Sequence, residues 1–337
     1  MLSLMRMLKG RRLSRTGFPE DWTAILNDRV PIVAALPEQD LLELKRKILV
    51  FLEEKRFAGC SGLEITDEIR VVVAAQACLM ILHNSSACYP GVSSVLVYPD
   101  TFYAKDMQGS TDGLAVDGLS YRRDYVILAW NAARRDSANP RDGSNLVLHE
   151  FAHQFDIADD SFDGVPLLPD KHLYDIWKHV FKKEFRALNQ ALERGEIPFL
   201  NDYAAENMAE FFAVASECFF ERPRELSAAH PKIYSLMCIF YKIDLLRDSS
   251  AKTLKYSRAD WPKELSDPDL ELLGAAQSST EQAERLLKGM VIFGALAAAA
   301  IIVCSLFIPI TSAGASMYFA TSLLLGKIVY DATRKGA

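Results

Sequence analysis

From Gly289 to Gly326 the chain carries no charged side chain, and this run limits the folds open to it more than any other feature. One helix needs about 20 apolar residues to cross a bilayer, and the run is nearly twice that length. A core helix is a poor alternative, because "VIFGALAAAAIIVCSLFI" has no polar face. Pro309 and the "TSAGAS" stretch from Thr311 to Ser316 fall near the middle, where a turn would sit. The expectation is a transmembrane helical hairpin over 286–330, with spans at about 289–309 and 314–330. Arg285 and Lys288 precede the uncharged run, and Lys327, Arg334 and Lys335 follow it. Basic flanks on both sides place both ends in the cytoplasm, which only an even number of spans permits. The rest of the chain is then expected at a membrane, read as a bacterial inner membrane, facing the cytoplasm.

The preceding residues divide by composition. Arg6, Lys9, Arg11, Arg12 and Arg15 make residues 1–17 a basic leader without the apolar stretch of a signal peptide. Residues 18–247 have the patterned character of one globular domain. Residues 248–285 are polar, contain Pro262 and Pro268, and read as a linker. The formal net charge of -6 argues against a general nucleic-acid binder, which needs an excess of Lys and Arg. The six cysteines show no CxxC pair, so reduced thiols are expected, and a zinc–thiolate site is not.

Within 18–247 the pattern is mostly helical. Apolar residues at helical spacing predict helices over Leu36–Phe57, Asp67–His83, Lys171–Arg194, Glu206–Glu221 and Pro231–Leu246. Ser93–Tyr98 and Tyr125–Trp130 read as strands. Asp136–Ser144 reads as a loop that delivers Ser144 or Asn145 as the N-cap of a helix running to Asp156.

That helix carries the chemistry. In "LVLHEFAHQFD", residues 146–156, His149 and His153 are four apart and can reach one ion from one helical face. Zinc accepts two neutral imidazoles and needs a third protein ligand, which leaves a position open for water. Glu150 lies beside the ligands, where a carboxylate can take a proton from the attacking water. Leu148, Phe151, Ala152 and Phe155 fall on the opposite arc, so one buried face and one chemical face are expected. For the third ligand, Glu206, Glu210 and Glu217 share a face of the downstream helix, and periodicity goes no further.

The chain resembles the zinc-dependent peptidases typified by Mlc titration factor A, whose catalytic domain is similar to that of anthrax lethal factor. The resemblance rests on "HEFAHQFD" (149–156) and "YAAENMAEFFAVASECFFERP" (203–223), with the upstream "LEEKRFAGCSGLEITDEIRV", "VLVYPDTF" and "VILAW" in the same order. It implies an α+β, zincin-like (gluzincin) domain, mostly helical with a small sheet. It implies one Zn2+ per chain on His149, His153 and Glu210, with Glu150 as general base. Tyr203 would donate to the oxyanion formed when water attacks a carbonyl. Glu217 and Asp156 would orient ligand imidazoles, while His172 and His179 are read as structural or exposed. The strand "YVILAW" would suit the sheet edge on which zincins lay an extended peptide.

The expected function is a membrane-anchored metallopeptidase acting on peptides or proteins near the bilayer, aminopeptidase-like on short peptides by resemblance. The rival reading is a membrane-tethered protein that sequesters a transcriptional regulator, its zinc mainly structural.

Overall fold

The computed structural model describes residues 17–84, 88–104, 114–121, 124–168 and 170–246. All belong to the first of two units into which the chain divides, Met1–Leu270. The expected leader (apart from Gly17), linker and membrane hairpin lie outside the described residues. Among the described residues no helix is long and apolar enough to cross a membrane.

Helix α1 (Glu20–Arg29) leads through a 3-10 turn to α2 (Glu38–Glu54). The apolar stripe predicted up to Phe57 stops three residues early. Lys55 turns extended, and Arg56–Gly59 form a short strand, β1, which sequence periodicity missed. Helix α3 (Asp67–Met80) starts at Thr66, whose hydroxyl accepts from the Ile69 N–H. It is apolar on nearly every side because every residue from Val71 to Met80 is buried. Strand β2 (Ser94–Tyr98) follows, then β3 (Phe102–Ala104), β4 (Leu114–Val116), β5 (Gly118–Tyr121) and β6 (Tyr125–Ala129).

The main sheet has the order β1-β2-β6-β5, and β3 pairs with β4 in a separate two-stranded ribbon. β1, β2 and β6 run parallel, while β5 is antiparallel to β6. The register aligns Val95 with Val126 and Val97 with Leu128, and all four are fully buried. That alternation is the two-residue period of a sheet with one face against helices. The strand "YVILAW" is therefore interior, flanked by β2 and β5, and is not the edge. Among the described residues the edge strand beside the helix of the motif is β5, too short and too glycine-led to stand out in the sequence.

Trp130 ends β6 by starting α4 (Trp130–Ala138), so Asp136, predicted in a loop, lies in the last turn of a helix. The zinc-motif helix is α5 (Leu146–Asp156). Three further helices complete the layer behind it: α6 (Lys171–Glu193), α7 (Met208–Glu221) and α9 (Pro231–Tyr241), with the short α8 (Pro223–Ala229) between the last two. The last helix ends five residues before the predicted Leu246, where Lys242 takes a left-handed conformation with φ 58°.

The core between α5, α6 and α7 is aromatic. Trp177 stacks on Phe181 with ring centroids 4.4 Å apart, and Phe211 and Phe212 meet these rings edge-on or tilted. On the other side of α5, Phe151 packs against Tyr89 at 4.7 Å and Phe51 at 5.9 Å. These packed rings fix α5 between the sheet and α7, and with it the direction in which His149, Glu150 and His153 point.

Candidate metal centre

Helix α5 begins where three carboxylates meet the N–H groups of its first residue, of its N-cap and of the loop before it. Asn145 is the N-cap, its Oδ1 accepting from the Leu148 N–H at 3.1 Å. Asp136 accepts from the Leu146 N–H, Glu221 from the Gly143 N–H, and Glu217 from the Asn145 N–H. Negative charge at a helix N-terminus is favoured by the helix dipole. Burial still dominates for Glu221, whose carboxyl is pushed up to about 8 despite its hydrogen bonds to Asn145 and Gly143. Asn145 also donates from Nδ2 to Gln76 and Glu221 and is 1% exposed. Asn145→Ala is expected to cost roughly 2–3 kcal/mol of folding stability, a lost cap plus two orphaned buried acceptors. A urea titration of both proteins measures it.

One turn on, His149 and His153 project from the same face of α5. The structure brings both to Glu210 on α7, with one ligand atom from each residue lying within 4.8 Å of the others. His149 Nε2 lies 2.9 Å from Glu210 Oε2 and 3.1 Å from His153 Nε2, and His153 Nε2 lies 3.4 Å from the same oxygen. Ligands of a tetrahedral zinc, each about 2.0–2.1 Å from the ion, stand roughly 3.3 Å from one another. The observed triangle has those edges.

The donor chemistry gives the same answer. His149 Nδ1 meets Glu217 Oε1 at 2.8 Å, and since a carboxylate only accepts, Nδ1 carries the proton. Nε2 then either carries a second proton, donated to Glu210, or gives its lone pair to a metal ion. Either way the contact between these groups calls for positive charge among them. Burial would lower His149, but hydrogen bonds to Glu210 and Glu217 lift it well above the usual histidine range. Burial would likewise raise Glu210, but His149 and His153 hold it at about 2. Carboxylates placed this way favour positive charge at the centre of the triangle. The residues present therefore fit a divalent metal of the kind that takes nitrogen and oxygen ligands.

The structure also separates the three glutamates that periodicity left open. Glu206 precedes α7, because Asn207 is the N-cap and accepts from the Ala209 and Glu210 N–H groups. It sits on the rim of the cavity before His149. Glu210 and Glu217, seven residues apart, lie two turns apart on one face. One reaches Nε2 and the other Nδ1 of the same imidazole.

Glu150 is 5% exposed and lines that cavity, of about 590 Å³, with His149, Tyr203, Glu217 and Gly118. Its Oε2 is buried without a hydrogen-bond partner among the described residues. Burial raises its carboxyl, and the neighbouring histidines oppose that rise. Ser120 donates to the Glu150 carbonyl at 2.6 Å and receives a hydrogen bond from Gln154, tying edge strand β5 to the motif helix. Gly118, in the same strand, leaves the space the carboxyl occupies, since a Cβ there would stand 2.2 Å from Glu150 Oε1. A glycine opening a short strand gave no sequence signal for this part.

Tyr203 sits in a 3-10 turn (Asp202–Ala205), its ring 5.7 Å from that of His149 and 46% exposed. Burial of its inner part and the nearby Glu210 raise its hydroxyl above the usual tyrosine range, so it remains a proton donor. Asp156 does not reach His153 through a direct hydrogen bond. Its Oδ1 accepts from the Gly164 and Val165 N–H groups, while its Oδ2 and His153 Nδ1 are both buried and unpartnered among the described residues. The expected division of α5 into a buried and a chemical face also needs correction. Val147 through Gln154 are all buried, because α7 and β5 cover the chemical face as the sheet and α3 cover the other.

The family described as glucose-regulated metallo-peptidase M90 matches residues 5–242. An uncharacterized protein of Synechocystis sp. is 38% identical over 244 residues, 70% of this chain and 88% of that protein. Mlc titration factor A of Klebsiella pneumoniae is 31% identical over 226 residues, which are 64% of this chain and 84% of its own. The Escherichia coli protein of the same name is 30% identical over 227 residues, 65% of this chain and 84% of its own.

Proposed function

Because the chain belongs to the glucose-regulated metallo-peptidase M90 family, we propose that it is a zinc-dependent peptidase, aminopeptidase-like on short peptides. The observation that carries the reading is the triangle of His149, His153 and Glu210 beside a buried, half-unpartnered Glu150 in an open cavity. A structural metal site has no use for such a carboxylate. Zinc at this site would supply Lewis acidity, making water acidic near neutral pH and polarising a peptide carbonyl.

The remaining work falls to the chain. His149 and His153 present Nε2 and Glu210 presents Oε2. Glu217 fixes the His149 ring through Nδ1, which selects the tautomer whose Nε2 can ligate. Glu150 accepts the proton of the attacking water at its free oxygen and hands it to the leaving amine. Tyr203 turns its hydroxyl to the oxygen that gains charge. Its partial exposure means water can replace it in part. Tyr203→Phe is expected to lower kcat roughly tenfold with KM little changed, as steady-state kinetics on one peptide would measure.

The membrane anchor over 286–330, and with it a bacterial inner membrane and a cytoplasmic catalytic domain, remains part of this proposal. Substrates are then peptides or proteins close to the bilayer. The test is metal content of the full chain together with hydrolysis of a fluorogenic peptide panel. About one zinc per chain, with turnover lost on chelation and restored by zinc, supports the peptidase. Bound zinc without turnover of any peptide favours a second reading, in which the chain sequesters a transcriptional regulator. That reading has one specific support, the name titration factor carried by the Klebsiella and Escherichia relatives.

A further inference from the structure

Five large apolar side chains stand exposed among the described residues: Leu42, Phe162, Leu167, Ile197 and Tyr203. Two of the five lie against the histidines of the triangle. Tyr203 flanks His149, and Phe162, 53% exposed, places its ring 5.1 Å from that of His153 at an angle of 40°. Phe162 has no part in the chemistry assigned above. A phenyl ring held half in water has apolar surface left to cover.

The turn just after this residue is held in place. Asp156 Oδ1 clasps the Gly164 and Val165 N–H groups, and Trp177 Nε1 donates to the Gly164 carbonyl at 3.1 Å. Gly164 itself has φ +76°, and a Cβ there would lie 2.2 Å from the Met208 carbonyl oxygen. The turn carrying Phe162 is thus pinned to α5, α6 and the start of α7. A rigid aromatic contact loses little conformational entropy when a ligand covers it.

We propose that Phe162 is a specificity-determining residue, forming the apolar wall that receives the substrate side chain next to the scissile bond. It selects peptides with an aliphatic or aromatic residue there. The proposal rests on the peptidase reading for the word substrate, but its physical content is a binding preference at the metal. It is tested without turnover by calorimetric binding of leucine, phenylalanine and serine hydroxamates to the zinc-loaded full chain, for wild type and Phe162→Ala. The expected result is that wild type prefers the leucine and phenylalanine compounds by about tenfold over serine. In Phe162→Ala that preference falls below about threefold while serine hydroxamate affinity stays the same. Equal affinities in wild type, or a preference that survives the substitution, overturns the proposal. An equal loss for all three compounds also overturns it, since Phe162 would then only brace His153. Failure of the peptidase reading looks different: the preference is present and no peptide is cleaved.

Discussion

Replacing Glu150 by glutamine is expected to lower kcat by about a thousandfold while zinc content and substrate affinity hold. The amide keeps the shape of the carboxyl but has no oxygen basic enough to take a proton. The size follows from what a positioned general base supplies, roughly 10²–10⁴-fold. Metal retention is expected because Glu150 is not a corner of the triangle of His149, His153 and Glu210. Removing a buried carboxylate whose ionisation burial opposes should leave the fold as stable or slightly more so. Metal analysis, a thermal melt and single-turnover kinetics on one preparation separate these three statements. Full activity in the variant would sink the assignment of Glu150 as the base.

The second large effect comes from a residue with no side chain. Gly118→Ala puts a methyl group 2.2 Å from Glu150 Oε1 and 2.7 Å from both Glu150 Cδ and Leu146 Cδ1. Nothing in that short contact is backbone. The carboxyl can swing away at small cost, so the substitution damages function far more than folding. A kcat loss of about a hundredfold is expected, with the melting curve displaced by less than about 1 kcal/mol. The same kcat loss in a Glu150→Gln background would count against this account. The double variant should be no worse than Glu150→Gln alone, because both changes act through one carboxyl. A kinetic double-mutant cycle decides it.

Much of this site was legible beforehand because its geometry is local. Two histidines four residues apart on an amphipathic helix define a direction, and Asn145 marks where that helix starts. By periodicity the third corner was legible only to within three glutamates, with Glu210 implied by the resemblance, and the Asn207 N-cap that removes Glu206 from the helix is a signal the sequence does carry. What could not be seen depends on pairing between distant segments. β1 and β5 are four residues each, without alternation or β-branched runs, and exist because the neighbouring strands offer an open edge. Which strand lies at that edge is a fact of topology, so the expectation that "YVILAW" would suit it, drawn from the resemblance and its place before the motif helix, does not hold. Gly118 and Phe162 share the same cause: neither carries a local pattern, and each reaches the site only through segments distant along the chain.

Glu217 has two ends. Through Oε1 it holds the His149 imidazole, and through Oε2 it holds the Asn145 N–H at the foot of the same helix. The aim of the His149 ring and the seam between α5 and α7 therefore depend on one carboxylate. A change at this position that tightens or loosens the grip on the ion also loosens the two helices it bridges.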